Sequence, residues 1–498
     1  MPQTNDAVVE FYIEARDGSV RGSLPSFPNW ADLEVPQVYS SMDPIGRSGQ
    51  NQIRSMSQHA SHPASGAEPG PAAERRKGLR RTAGPKTSDA KSGSVSTTSA
   101  SITHDQAASS DSWRRPWVQL KYLSFSTQLY PAMIARASSD AQPGSLVTVY
   151  DKQGRRFGAG LYHPRARVPL RIFHHGPTAF HEEDFLRLLD RAVDLRMNSL
   201  RLPEVTDAFR VVHSDGDGLS GLVVDKFADV LSVEVHSLGV WQRLPQWLKH
   251  LHSRLGTCRH VIQVGDLAAR LEGIPQPEAA ETVSRVKIRE HGVVFEVNFA
   301  TGHKTGFFCD QRENRIRLSR LVQPRQRVLD LCCYTGGFAL AVAVRSQPAE
   351  VTGVDLDETA LAQARRNANL NRVHIRWVHC DAFSYARQMQ RNGQRWDVVV
   401  IDPPKFVSDR QELAAGLRRY EDLNHLAAGL LHPGGLLVTC SCSGMVSEEV
   451  FEKTVIRAVH RLNRKLQILD RTGAGPDHPV MSHCPESRYL KVLWGRVW

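Results

Sequence analysis

Between residues 117 and 175 apolar and polar positions alternate in short runs: VQLKYLSF, SLVTVYD, FGAGLYH and PLRIFHH, punctuated by Gly154 and by prolines. A period of two puts every second side chain on one face, so these runs predict the strands of a small β-barrel. From Ala179 to Leu200 the spacing lengthens to the helical repeat, with Phe185, Leu188, Leu189 and Val193 on one face. The segment FRVVHSDGDGLSGLVVDKFADVLSVEV then reads as strands flanking a turn of Asp215, Gly216, Asp217, Gly218 and Gly221. Asp and Gly are the ordinary residues of tight turns, so this turn is read as structural rather than metal-binding. The connecting α+β subdomain ends near Asn298.

Beyond about residue 300, RVLDLC, EVTGVDL, IRWVHCDA, WDVVVID and GLLVTCSC read as strands. GGFALAVAV and TALAQARRNANL read as helices, the second capped by Asp357 or Thr359. Strands apolar throughout, separated by helices, require a parallel sheet covered on both faces. The expected class is α/β: a C-terminal Rossmann-like domain (299–498), a central α+β subdomain (179–298) and an N-terminal barrel (113–178). Residues 1–112 are rich in Ser, Gly, Ala, Pro and Gln, too poor in apolar side chains to offset the entropy of ordering. They are predicted to form a disordered, low-complexity tail.

With 41% hydrophobic and 23% charged residues, the chain has the composition of a soluble globular protein. No run approaches the length of a membrane span, and the N-terminus lacks the pattern of a secretory leader. The net charge of +11 favours a polyanionic partner. Basic residues cluster at Arg75, Arg76, Lys77, Arg80, Arg81 and Lys86, and again in the barrel at Arg155, Arg156, Arg165, Arg167 and Arg171; each cluster is either an RNA contact or a solvated face. The eight cysteines form no CxxC pair and no regular framework, so reduced thiols in a cytoplasmic protein are expected, without a metal.

The first strand of the C-terminal domain runs into Asp330-Leu331-Cys332-Cys333-Tyr334-Thr335-Gly336-Gly337, where glycines let a ligand approach the backbone at a helix start. The spacing of a dinucleotide fingerprint is absent. Asp355 ends the second strand, placed to accept ribose hydroxyls. Asp381 ends the third, placed to meet an adenine amine, and Asp402-Pro403-Pro404-Lys405 ends the fourth, a rigid turn where a target base could be held. Each acid alone could be a helix cap. Four in order point to S-adenosylmethionine. The next strand delivers Cys440 and Cys442 to the same edge; attack on carbon 6 of a cytosine requires a thiolate, and strand parity leaves either cysteine able to supply it.

Seven segments carry a resemblance: TGHKTGFFCDQR (301–312), YTGGF, DPPKF and SCSG, with the flanking DGDGLSGLVVDKF, DHPV and PESRYLK pieces. In this order, over residues 117–498, they resemble the PUA-containing bacterial 23S ribosomal RNA 5-methylcytosine methyltransferases. The resemblance implies a PUA barrel and a class I methyltransferase domain acting on large-subunit ribosomal RNA. It implies cofactor contacts at Asp330, Tyr334, Thr335, Gly336, Gly337, Asp355, Asp381 and Asp402, and Cys442 as nucleophile. Lys304, Arg312, Pro403, Pro404, Lys405 and Tyr420 are implied on the substrate side, with Arg419, Asp422 and Asn424 ordering the loop near the base. DPPKF holds no second cysteine, so the carbon 5 proton falls to another base, Asp402 among the candidates, or to water. A base N-methyltransferase and a noncatalytic RNA-binding protein are the alternatives, and a homodimer stays open.

Overall fold

The computed structural model describes residues 110–277, 283–299 and 306–498. Most of the expected tail, and Lys304, lie outside the described residues.

Six strands, β1 (Trp117–Leu120), β2 (Gln128–Leu129), β3 (Ile134–Ala137), β4 (Ser145–Tyr150), β5 (Arg156–Tyr162) and β6 (Leu170–His175), form one sheet in the order β2-β6-β5-β4-β1-β3. Val118, Leu120, Val147, Val149 and Ile172 enclose a core of its own, as the alternating pattern requires. Helix α1 (Glu182–Asp194) begins later than the apolar spacing suggests, because His181 caps it reciprocally with Asp184. The four residues read as one face are all buried. The expected helix ends instead in a wider π turn, Leu195–Ser199, which carries the fully buried Arg196. Its guanidinium donates to the Asp217 carboxylate at 2.6 and 2.8 Å.

Strands β7 (Ala208–His213), β8 (Leu222–Phe227), β9 (Val230–Val235) and β10 (Arg259–Val264) form a four-stranded sheet, with α2 (Leu238–Leu255) crossing from β9 to its parallel neighbour β10. A short helix, α3 (Asp266–Glu272), and a hairpin, β11 (Arg285–Glu290) and β12 (Val293–Asn298), follow. The acidic turn is structural: Asp217 holds Arg196, while Asp215 accepts from the Thr127 hydroxyl and, at 2.8 Å, from Gln128 Nε2. Thr127 Oγ1 also lies 3.0 Å from Cys484 Sγ, so one buried hydroxyl ties the barrel to the central turn and to the C-terminal region.

The C-terminal domain contains α4 (Arg312–Leu321), β13 (Arg327–Leu331), α5 (Gly337–Arg345), β14 (Glu350–Asp355), α6 (Glu358–Leu370), β15 (Arg376–His379), α7 (Ala382–Arg391), β16 (Trp396–Ile401), α8 (Leu413–Gly429), β17 (Leu431–Ser441), α9 (Glu448–His460), β18 (Leu466–Thr472) and β19 (Lys491–Val497). Strand order is β15-β14-β13-β16-β17-β19-β18. Val328, Val398 and Val438 pack on the side of α5, while their neighbours Leu329, Val399 and Leu437 pack with residues of α7, α8 and α9. That is why these strands read as apolar throughout. The sheet is not wholly parallel, as the sequence pattern suggested. β19 enters between β17 and β18 and is antiparallel to both. The chain leaves β13 toward β14 and returns to β16 on its other side, so the loops after β13 and β16 diverge and open a crevice at the strand ends.

Candidate active site

Asp330 lies one residue before the end of β13 and is buried. Its Oδ2 accepts from Ala339 N at 3.0 Å, in the first turn of α5, whereas Oδ1 is buried with no hydrogen-bond partner among the described residues. Burial pushes this carboxyl well above its usual range, and the nearby Asp402 and Asp355 push it further. The loop that follows passes three times through the left-handed region, at Cys332 (φ 62°), Tyr334 (φ 49°) and Gly336 (φ 87°). Two of these residues are not glycine, and such conformations persist where surrounding structure imposes them, commonly at ligand sites. So turned, Tyr334 N donates to Asp355 Oδ2 at 2.7 Å, while Asp355 Oδ1 accepts from Asp357 N at 2.9 Å. The Thr335 carbonyl accepts from Asn367 Nδ2 at 3.2 Å, and Gly337 opens α5.

Asp355 and Asp402, next to the buried Asp330, create a field that favours a cation, and the Asp330 Oδ1 without a partner among the described residues leaves an acceptor for one. S-adenosylmethionine carries a sulfonium and an ammonium, so the residues present fit that group. Asp381 serves first as the α7 cap: its Oδ2 accepts from Ser384 N at 2.8 Å, two residues beyond the end of β15. Asp357, rather than Thr359, caps α6.

Asp402 follows β16, and its Oδ2 accepts from Gln311 Nε2 at 2.9 Å. Gln311 is itself buried and oriented by Asn314, whose Nδ2 donates to Gln311 Oε1 at 2.7 Å. Sequence reasoning passed over Gln311, although it stands inside the TGHKTGFFCDQR segment. Its role is visible only because the short turn Cys309–Gln311, just before α4, brings it to Asp402. Pro403 is buried and Pro404 exposed, with Lys405 half-buried beside them. The two cysteines left open by parity differ sharply. Cys440 lies inside β17, fully buried in the core with Trp494, and burial pushes its thiol far up. Cys442 stands just past the end of β17, half-buried, with Sγ 4.0 Å from the Pro403 carbonyl.

Tyr420, expected on the substrate side, is fully buried; its hydroxyl pairs with Ser443 Oγ at 2.9 Å and its ring packs on Phe406. Burial pushes the phenol up to about 12, with Cys442 adding to the shift. It therefore holds the Cys442-Ser443 loop in place and does not face a substrate. Arg419 stacks 4.2 Å from the same Phe406 ring. Asn424 donates to the Tyr420 carbonyl, and the exposed Asp422 turns away to Arg461.

Arg312, also expected on the substrate side, has no exposed surface, and its Nη1 and Nη2 both reach Asp477 while Nε reaches Glu313. Every nitrogen is engaged internally, which makes it a structural residue. Of the barrel arginines, Arg171 is committed to Ser220 and the His236 carbonyl, and Arg155 pairs with Asp151, while Arg165 is exposed. Among the described residues no three His, Cys, Asp or Glu side chains are placed to hold a metal ion. No helix among them is long and apolar enough to cross a membrane.

Residues 259–490 match the S-adenosylmethionine-dependent methyltransferase family, and residues 118–175 match the PUA-like domain family. The chain is 32% identical over 395 residues to the ribosomal RNA large subunit methyltransferase I of Erwinia tasmaniensis, covering 77% of this chain and 96% of that one. It is 34% identical over 368 residues to the enzyme of the same name from Shewanella frigidimarina, covering 72% and 91%. Among solved structures, a S-adenosylmethionine-dependent methyltransferase from Streptococcus mutans superposes with a TM-score of 0.63 at 20% identity, over 76% of this chain and 100% of that one. A methyltransferase complexed with SAH superposes with a TM-score of 0.62 at 21% identity, over 71% and 92%. At such identities the two structures establish the shared fold.

Proposed function

Because the chain belongs to the ribosomal RNA large subunit methyltransferase I family, S-adenosylmethionine-dependent enzymes that join a PUA-like domain to a class I methyltransferase domain, we propose that it methylates carbon 5 of a cytosine in large-subunit ribosomal RNA through a covalent adduct at Cys442. One observation carries the choice of atom: Cys442 is the half-exposed thiol at the rim of the crevice, against the Asp402-Pro403-Pro404 turn, while Cys440 is sealed in the core.

S-adenosylmethionine, when bound, supplies the methyl group. Asp330, Asp355 and Asp381, with the Tyr334-Thr335-Gly336-Gly337 backbone, are the residues that would hold it. The Cys442 thiolate adds to carbon 6 of the base, forming an S–C bond and moving the C5–C6 π pair onto carbon 5, which becomes the nucleophile. After methylation the carbon 5 proton is removed, the double bond re-forms and the S–C bond breaks, returning the thiolate. Asp402, fixed by the Gln311 amide and adjoining Pro403, whose carbonyl meets the Cys442 thiol, is assigned as proton acceptor. Pro403, Pro404 and Lys405 form the edge against which the base is held. RNA binding is assigned to residues 113–178, the methyltransferase to 299–498, and the central subdomain, 179–298, to the join between them. With ribosomal RNA as substrate, the enzyme acts in the cytoplasm.

The test is transfer of labelled methyl to ribosomal RNA, wild type against Cys442→Ala, followed by nucleoside analysis. The expected result is 5-methylcytosine from wild type and none from the variant. Methyl on a base nitrogen, or an active Cys442→Ala, would overturn the reading in favour of nitrogen chemistry at the Asp402-Pro403-Pro404 turn.

A further inference from the structure

Lys491 opens β19 directly opposite Ser441, the last residue of β17, and it is buried. A buried ammonium ordinarily needs a carboxylate, yet the hydrogen bonds of this one go to backbone carbonyls: Nζ donates to Ser443 O at 2.6 Å and to Tyr489 O at 2.8 Å. The first bond places the amine at the residue that follows Cys442. Ser443 is held from its other side by Tyr420, and Tyr489 is anchored by donating its hydroxyl to Asp310 Oδ2 at 2.6 Å. The amine is thus held at the Ser443 carbonyl, one residue along the chain from the thiol.

We infer that Lys491 is a positioning residue for Cys442, holding the thiol as a thiolate beside its own ammonium and pinning the Cys442-Ser443 backbone toward the crevice. The proton balance is internal: starting from thiol and neutral amine, the Cys442 S–H bond breaks, its proton passes to the lone pair of the Lys491 amine, which becomes the ammonium, and the sulfur keeps the electron pair. The inference rests on the assignment of Cys442 as nucleophile. Burial lowers the Lys491 amine to about 8 even though Cys442 acts to raise it, which brings it close to the value of about 8.5 for a free cysteine. The other charged and titratable groups around the pair are Asp402 and Lys405 on the turn beside Cys442, Glu448 at the start of α9, Arg488, Tyr489 with its partner Asp310, Tyr420 and Cys440. Lys405 and Arg488 favour a thiolate, Asp402 and Glu448 oppose it, and Lys491 is the buried cation of the set.

The experiment is the pH dependence of iodoacetamide alkylation at Cys442, read by peptide-resolved mass spectrometry on the full chain. It compares wild type, Lys491→Met and Lys491→Arg, with methyl transfer measured in parallel. The wild-type midpoint is expected below the value of about 8.5 for a free cysteine. In Lys491→Met it should rise by about one unit, making alkylation at pH 7 about tenfold slower, and Lys491→Arg should restore most of the rate by restoring the charge. An unchanged profile in a folded Lys491→Met protein would overturn the inference. Where Lys491→Met does not fold, a wild-type midpoint at or above that of a free cysteine overturns it equally. A Cys442→Ala protein that still methylates, combined with a low wild-type midpoint, would remove the nucleophile assignment and leave the ion pair standing.

Discussion

Arg312 and Asp477 meet in parallel: Nη1 and Nη2 each donate at 2.9 Å to one Asp477 oxygen, and neither side chain has exposed surface. The same carboxylate accepts from Arg210 N on β7, and the Asp477 carbonyl accepts from Arg196 in the π turn. One residue of a late loop therefore joins the methyltransferase domain to the central subdomain.

Removing one partner of a buried pair leaves an uncompensated charge, so Asp477→Ala should cost about 3–5 kcal/mol. Burial alone would raise the Asp477 carboxyl, but His478 and Arg312 outweigh it and hold the carboxyl far below its usual range. A depressed folded value means the stabilisation is fully present above the unfolded pKa of about 3.9 and is lost progressively as pH falls from there through the far lower folded value. In urea titrations of wild type and Asp477→Ala, the stability gap should therefore be smaller near pH 3 than at neutral pH, without closing. A constant gap across that range would contradict the assignment.

Asp330 shows the opposite sign. Its folded carboxyl is raised by burial and by Asp402 and Asp355, so its contribution is favourable below the unfolded pKa and becomes a penalty as pH rises. Asp330→Asn should leave the free protein as stable as wild type or more so at neutral pH, yet bind S-adenosylmethionine at least tenfold more weakly. Thermal melts with and without the cofactor read both effects. Equal cofactor-induced shifts in the two proteins would remove Asp330 from the binding set.

The two cysteines of SCSG and its strand should separate cleanly. Cys440→Ala opens a small space in the core and should cost about 1–2 kcal/mol while methyl transfer by the folded fraction persists. Cys442→Ala should leave the melting temperature within a degree or two and abolish transfer. Comparable activity losses in both variants, after correction for folded fraction, would undo the distinction.

Gly336 stands at φ 87°, and a Cβ there would lie 2.6 Å from the Trp377 ring. Gly336→Ala should destabilise the protein by about 1–3 kcal/mol and weaken S-adenosylmethionine binding, because the Tyr334-Gly336 loop must move. Calorimetric titration checks the second effect. Unchanged affinity would show that the loop backbone does not contact the cofactor.

Local residue order alone determined the barrel strands, the buried face of α1 and the succession of strand and helix that makes the C-terminal domain α/β. Each of these follows from a period of hydrophobic positions, which is a property of neighbours along the chain. The acids Asp330, Asp355, Asp381 and Asp402 were legible for the same reason, since the ends of successive strands in such a sheet must fall along one edge. Tertiary structure decided what depends on residues far apart in sequence. Arg312 became structural because Asp477, 165 residues away, reaches it in the core. Tyr420 turned inward to Ser443, Gln311 came to Asp402 across 91 residues, and β19 inserted antiparallel beside β17, bringing Lys491 next to the Cys442 loop. No periodicity encodes such meetings, because they arise only when the sheet closes and brings distant strands to the same edge.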